Sequence, residues 1–222
     1  MAILTISRQM ASGGDTIAQE VAKILGWAYF DKELLRYAAM EAGLSTEHIV
    51  DFSEDSYPIR DFWDHLLGDS DKIALAKFKG MDKNGTILLS TELLDEDKCL
   101  AFIQSTLYYL KNRGNTVIVG RGGQALFKDY HQAFHIRIIA PLSKRVENFM
   151  AKTGMTKENS IEHLRKRDAA AAQYIKRFYN EDWNNPLLYH MVINTGLMDE
   201  TVVSQILADS IKRYFSYKQI QI

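Results

Sequence analysis

Apolar positions along this chain alternate between two periods. Ile3 to Ile6 form a short continuous apolar run closed by Ser7, the pattern of a buried strand. From Thr16 onward, Ile17, Val21, Ile24 and Leu25 recur at helical spacing, and Gly26 follows as a C-terminal stop. "WAYF" predicts a second strand. Asp31 can then cap a helix carrying Leu34, Leu35, Ala38 and Ala39 that stops at Gly43. A further helix is expected from about Asp95 to Arg113, with Leu100, Ile103, Leu107 and Leu110 inward. "TVIVG" is the strongest strand, continuous in β-branched residues and suited to the centre of a parallel sheet. "FHIRIIA" is another, followed by Pro141 at a typical first helical position. Helices are expected from Pro141 to about Lys152 and from about Ser160 to Tyr179, separated by the polar "TGMTKENS". "MVIN" reads as the last strand, and Val202, Val203, Ile206 and Ile211 mark a closing helix.

Strands alternating with helices of this length predict an α/β fold, a parallel sheet covered on both faces in three layers. Residues 1–222 are read as a single domain. Between 44 and 92, "STEHIVDFSEDSYPIRDFWDHLLGDSDK" and its continuation mix acids and aromatics without sustained period, so a helical or loop-rich insert is expected there.

Composition narrows the class. The chain is 46% hydrophobic and 25% charged, ordinary for a globular protein with one substantial core. Its 27 basic and 28 acidic residues nearly cancel, which favours neither a nucleic acid nor a membrane surface as partner. No apolar run approaches the roughly 20 residues of a membrane span, and "MAILTISRQ" lacks the pattern of a secretory signal. Cys99 is the only cysteine, so no internal disulfide is expected and a reducing, cytoplasmic compartment fits. His131 and His135 lack the surroundings of a metal motif, and Tyr174, Phe178, Tyr179 and Trp183 have the spacing of core or lid packing.

The chemistry concentrates in "SRQMASGGDT", where a strand, a glycine-bearing turn and a helix start follow in order. A phosphate loop surrounds phosphates with backbone N–H groups, reaches the terminal ones with a lysine, and sets a hydroxyl by magnesium. Laid on that pattern, Gly13 takes the last glycine, Gly14 the lysine and Thr16 the hydroxyl, while Arg8 stands at the first glycine. A glycine pair can also simply make a tight turn. Asp15 at the positive end of a helix opposes a phosphate bound there, whereas Arg8 can supply the missing charge.

Three stretches then occur in order: "LTISRQMASGGDTIAQEVAKILGWAYFDKELL", "VIVGRGGQALF" and "RKRD…YHMVINT". Together they resemble the cytidylate kinase-like family, relatives of the P-loop nucleoside-monophosphate kinases, over nearly the whole chain. The resemblance implies a P-loop kinase fold with an acceptor-binding insert at 44–92 and a lid at 153–183. It implies Ser12, Gly13, Gly14, Asp15 and Thr16 against the donor phosphates, with Thr16 near Mg²⁺. It implies Arg121 at the acceptor phosphate, Asp31 and Arg36 in the acceptor site, and Arg167 and Asp168 in the lid's "RD" motif. Ala169 to Ala172 stand where the lid carries another arginine, and Arg177 lies farther along the same helix. A working site on this plan gathers Arg8, Arg121, Arg167 and Arg177. The implied activity is phosphoryl transfer from ATP with Mg²⁺ to a nucleoside monophosphate, CMP or dCMP by default. A nucleotide-binding pseudo-kinase and a kinase for another small acceptor are the alternatives.

Overall fold

A computed structural model describes residues 2–41, 73–81, 87–94 and 96–220. Five parallel strands form one sheet: β1 (Ile3–Arg8), β2 (Ala28–Phe30), β5 (Thr116–Val119), β6 (Ala133–Ile139) and β7 (Met191–Asn194), in the order β2-β5-β1-β6-β7. The helices are α1 (Gly14–Leu25), α2 (Lys32–Glu41), α3 (Glu96–Arg113), the short α4 (Gly123–Leu126), α5 (Leu142–Thr153), α6 (Lys157–Tyr179) and α7 (Glu200–Ile220). The three-layer α/β/α architecture predicted from the sequence is therefore present.

Side-chain alternation along the buried strands divides the core. Leu4 and Ile6 of β1, Val117 and Val119 of β5, and Ile136 and Ile138 of β6 pack with α1 and α7 on one face. Ile3 and Ile118 point the other way, packing with Leu35, Ile103, Leu107 and Phe127. Nearer the strands' C-terminal ends that second face turns polar: Thr5 pairs in register with His135, and Ser7 with Arg137, all four buried. These polar groups find partners rather than solvent, as buried polar atoms must. Thr5 Oγ1 and His135 Nδ1 are 2.7 Å apart, and Trp183 Nε1 donates to Ser7 Oγ at 2.7 Å.

Local signals set most boundaries. Gly26 ends α1 in the left-handed region (φ 65°), as its position after the last periodic residue predicts. Asp31 Oδ1 accepts from the N–H groups of Glu33 and Leu34 at the start of α2. Helix α6 begins three residues before the expected Ser160, because Thr156 caps it by accepting from Asn159 N.

One expectation is corrected. In the segment 44–92, read as helical or loop-rich, β3 (Ile73–Met81) and β4 (Ile87–Leu94) form a separate antiparallel pair with an irregular register between Phe78 and Gly80. In sequence, Asn84-Gly85, a dipeptide that favours tight hairpin turns, lies between them. Residues 44–72 lie outside the described residues.

Candidate functional site

Strand β1 delivers Arg8 to the C-terminal edge of the sheet, where ligands of open parallel sheets collect. The chain then turns through Ala11 (φ 61°) and Gly13 (φ 79°), both left-handed, before α1 begins at Gly14. Alternating left-handed residues ahead of a helix form a concavity of backbone N–H groups suited to anions. The loop is held from outside by side chains. Arg145 Nη1 donates to Met10 O, Asn148 Nδ2 to Ala11 O, and Thr195 Oγ1 to Ser12 O at 3.4, 3.1 and 2.7 Å. In a trans peptide the following N–H points opposite its carbonyl, so these bonds orient the amides of Ala11, Ser12 and Gly13 away from the clamps. Ser12 is buried, its hydroxyl donating to Gln9 O at 2.7 Å.

The absent lysine has a structural reason. A β-carbon built on Gly14 falls 2.5 Å from Arg8 Cβ and 2.8 Å from Arg8 Cγ. The arginine stem occupies the space where a side chain at position 14 begins. A cation thus reaches the loop from the end of β1 instead of from α1. Its Nε donates to Asp15 Oδ1 at 2.9 Å. Asp15, which the sequence sets against a bound phosphate, is therefore ion-paired at the helix start, with the carboxylate mostly exposed. The Arg8 side chain is mostly buried, so solvent screens this pair from the Asp15 side only. Side chains already crowd both glycines, Arg8 against Gly14 and Glu200 against Gly13, and the concavity of backbone N–H groups beside the Arg8 cation is what fits the terminal phosphates of a nucleotide. Thr16 is exposed in the first turn of α1, where its hydroxyl can lie by a phosphate-bound Mg²⁺. Among the described residues no three His, Cys, Asp or Glu side chains group as metal ligands.

Beside the loop lies a cavity of about 140 Å³. Arg8, Asp15, Asp31, Lys32, Arg167 and Asp168 line it, with Gln19 and Tyr29 on one side and Met10, Ala171 and Trp183 as its apolar wall. Burial pushes the Tyr29 hydroxyl above its ordinary range, and the negative charges of Asp31 and Asp15 push the same way. Asp168 meets Arg145 in a two-pronged pair, Nη1–Oδ1 3.2 Å and Nη2–Oδ2 2.8 Å. Burial nonetheless holds the Asp168 carboxyl above the usual carboxylate range, against the lowering effect of Arg145.

Sequence-predicted residues divide. Arg8, Asp15, Asp31, Arg167 and Asp168 come together at this cavity, and Ser12, Gly13, Gly14 and Thr16 form the adjoining loop. Arg121 is 1% exposed, held in the left-handed region (φ 62°) between Gly120 and Gly122, and does not line the cavity. The ring of Tyr179 covers Gly122, where a β-carbon would lie 2.8 Å from Cζ. Arg36 is half-exposed and pairs with Glu33 at 3.3 Å, and Arg177 is exposed on α6; neither lines the cavity.

Several contributors escaped the sequence. Lys32 and Tyr29 line the cavity from a segment whose pattern signals only a cap and a strand. Trp183, read as packing, forms part of the cavity wall. Behind it Arg137, buried, lies 3.9 Å above the indole ring and donates to Trp183 O, to Tyr189 Oη at 3.1 Å and to Asn184 Oδ1 at 2.8 Å. Arg145, Asn148 and Thr195 clamp the loop across more than 130 residues of sequence, a separation at which no local pattern links them.

The cytidylate kinase-like family model matches residues 3–197. A cytidylate kinase from Methanothrix thermoacetophila is 25% identical over 200 residues, covering 89% of this chain and 91% of that protein. A uronate isomerase from Corynebacterium glutamicum is 31% identical over 99 residues, 44% of this chain, and the match spans only 19% of that protein's length. Among solved structures, an uncharacterized protein from Eubacterium ventriosum aligns with a TM-score of 0.64 at 16% identity, covering 96% of this chain and 99% of its own. A gluconokinase from Sinorhizobium meliloti aligns with a TM-score of 0.52 at 10% identity, covering 99% and 97%. At such identities the structures speak for the fold alone.

Proposed function

This chain belongs to the cytidylate kinase-like family, and on that premise we propose that it is a phosphotransferase acting from ATP on a small acceptor. The observation that carries the reading is the Arg8 stem lying on Gly14, which sets a guanidinium at the phosphate loop in place of the absent lysine. In this reading the N–H groups of residues 13–16 bind the terminal phosphates of the donor, since that of Ser12 already donates to Gln9 O. Arg8 and Arg167 neutralise charge on the transferring group, and Asp15 releases Arg8 as the donor arrives. Mg²⁺, when bound beside Thr16, supplies further neutralisation of the phosphate oxygens. The acceptor enters the cavity between Asp31, Arg167 and Trp183. Helix α6, carrying Arg167 and Asp168, serves as the lid of residues 153–183. Phosphoryl transfer needs positioning and charge more than covalent help from the protein, and this arrangement supplies both.

The family resemblance makes CMP or dCMP the first acceptor to test. A kinase of another small acceptor is the second reading, and one observation favours it: Arg121, implied at the acceptor phosphate, is buried away from the cavity. ADP formation with ATP, Mg²⁺ and single acceptors, followed alongside calorimetric ATP binding, tests the proposal. Turnover with at least one acceptor supports it. Absence of ATP binding contradicts it.

A further inference from the structure

We propose that Glu200 is a donor-binding residue whose carboxylate accepts from the ribose hydroxyls of a ribonucleotide held by the phosphate loop; the inference rests on the phosphotransferase reading above. Its basis is a second side chain seated on the loop. A β-carbon built on Gly13 meets the Glu200 carboxylate, 2.5 Å from Cδ and 3.0 Å from Cγ. Glu200 therefore touches the loop at Gly13 as Arg8 touches it at Gly14. The segment that carries it is docked on the same loop. Thr195 Oγ1 donates to Ser12 O at 2.7 Å, and Thr195 N donates to Ile139 O at 2.9 Å. Within α7, Ser204 Oγ donates to Glu200 O at 2.8 Å.

A carboxylate in the first turn of a helix ordinarily serves the helix's positive end. In α7 that task falls to Asp199, whose Oδ1 accepts from Thr201 N at 2.8 Å. Hydrogen bonds from Thr201 foremost, and from Val202, hold the Asp199 carboxyl below the usual carboxylate range. The Asp15 carboxylate, at the other end of the loop, is taken by Arg8. Glu200 is half-buried, and among the described residues its carboxylate enters no hydrogen bond or ion pair. A carboxylate drawn partly out of water gains most from a ligand that donates to it.

Direction along the donor selects the part that Glu200 meets. Arg8, on Gly14, lines the cavity beside the loop; Glu200, on Gly13, does not. In the proposed transfer the terminal phosphate faces that cavity, so the rest of the donor leaves the loop away from it, where Glu200 stands. An ionised carboxylate only accepts, so it repels the phosphates and binds O–H or N–H donors. Ribose is joined directly to the phosphate chain, and its neighbouring hydroxyls match the two oxygens of one carboxylate. The amino groups of a base lie farther out. An acidic side chain on a ribose hydroxyl is also how other nucleotide folds read this sugar.

The test compares calorimetric binding of the Mg²⁺ complexes of ATP, 2′-deoxyATP, 3′-deoxyATP and tripolyphosphate to the parent protein and to Glu200→Ala. The parent is expected to bind ATP about tenfold or more tightly than either deoxy analogue, as a hydrogen bond to a charged group warrants. In Glu200→Ala the three nucleotides should bind within about twofold of one another, with tripolyphosphate bound no more weakly than by the parent. A merely structural Glu200 would move all four ligands alike. Equal binding of ATP and both deoxy analogues by the parent overturns the proposal and leaves the phosphotransferase reading standing. Discrimination that survives unchanged in Glu200→Ala overturns it as well. A parent protein that binds none of the four removes the phosphotransferase reading, and this proposal with it.

Discussion

The β- and γ-carbons of Arg8 lie over the α-carbon of Gly14, and that contact decides which element supplies the loop's cation. A phosphate loop ordinarily carries its lysine on the helix. In the proposed reading the strand carries the charge here, and a side chain at the helix position would meet the Arg8 stem. The two residues are alternatives in space, so they should exchange only together.

Gly14→Ala tests that exclusion, because Gly14 is not in the left-handed region and backbone strain plays no part. Overpacking against Arg8 is expected to cost about 1–3 kcal/mol in urea unfolding. Gly14→Lys should be similarly destabilised and bind ATP poorly, whereas the double variant Arg8→Ala/Gly14→Lys should recover most of both. Equal stability of Gly14→Ala and the parent protein would show that the contact relaxes freely.

Arg145 and Asp168 join the lid helix to the loop through the two-pronged pair, while Arg145 also donates to Met10 O. Arg145 is 5% exposed and Asp168 23%, so removing either partner leaves a poorly solvated charge. Arg145→Met and Asp168→Asn are each expected to cost about 2–4 kcal/mol. The double variant should cost less than their sum by about 1–3 kcal/mol. Denaturant titrations of the four proteins check the coupling; strict additivity would contradict it.

His135 gives a pH signature. Burial first, and the neighbouring His190 second, lower its pKa from 6.5 to about 4. Thr5 Oγ1 and Phe127 O lie against its two ring nitrogens, and the neutral ring satisfies both. A group depressed in the folded state stabilises above its unfolded pKa, and that stability is lost as pH falls toward the folded pKa. About 3 kcal/mol should therefore disappear between pH 6.5 and pH 4. Unfolding free energies of the parent and of His135→Gln across that window check it, the variant losing most of that slope.

Arg121 tests the second loop, where Gly120, Arg121 and Gly122 are all left-handed. Removing this buried side chain should cost about 2–4 kcal/mol in either Arg121→Ala or Arg121→Gly. The glycine variant should be the more stable of the two by about 1 kcal/mol, since only it relieves the left-handed backbone. Unfolding midpoints decide the order.

The sheet was legible because its strands announce themselves. "TVIVG" is a continuous apolar run bounded by a turn glycine, and "FHIRIIA" keeps Phe134, Ile136 and Ile138 on one apolar face while His135 and Arg137 take the other. The antiparallel pair of β3 and β4 was not, since "IALAKFKGM" and "ILLSTELL" lack clean alternation. Within the site, the loop from Ser12 to Thr16 could be read from local order alone. Trp183 joins the wall of the cavity through contacts to Ser7 and Arg137, 176 and 46 residues away, and no period along the chain encodes such pairings. Arg121 is hard to place for a related reason: the motif gives its position in a loop, while Tyr179 packed on Gly122 accompanies its burial.

The central claim is that Arg8 replaces the lysine of the phosphate loop. Titration calorimetry of Mg·ATP into the parent protein and Arg8→Gln addresses it most directly, because glutamine keeps the stem on Gly14 and removes only the charge. The account predicts binding at least tenfold weaker in the variant, with transfer to any accepted substrate slowed by about 10³-fold. Equal ATP affinity in the two proteins would contradict it.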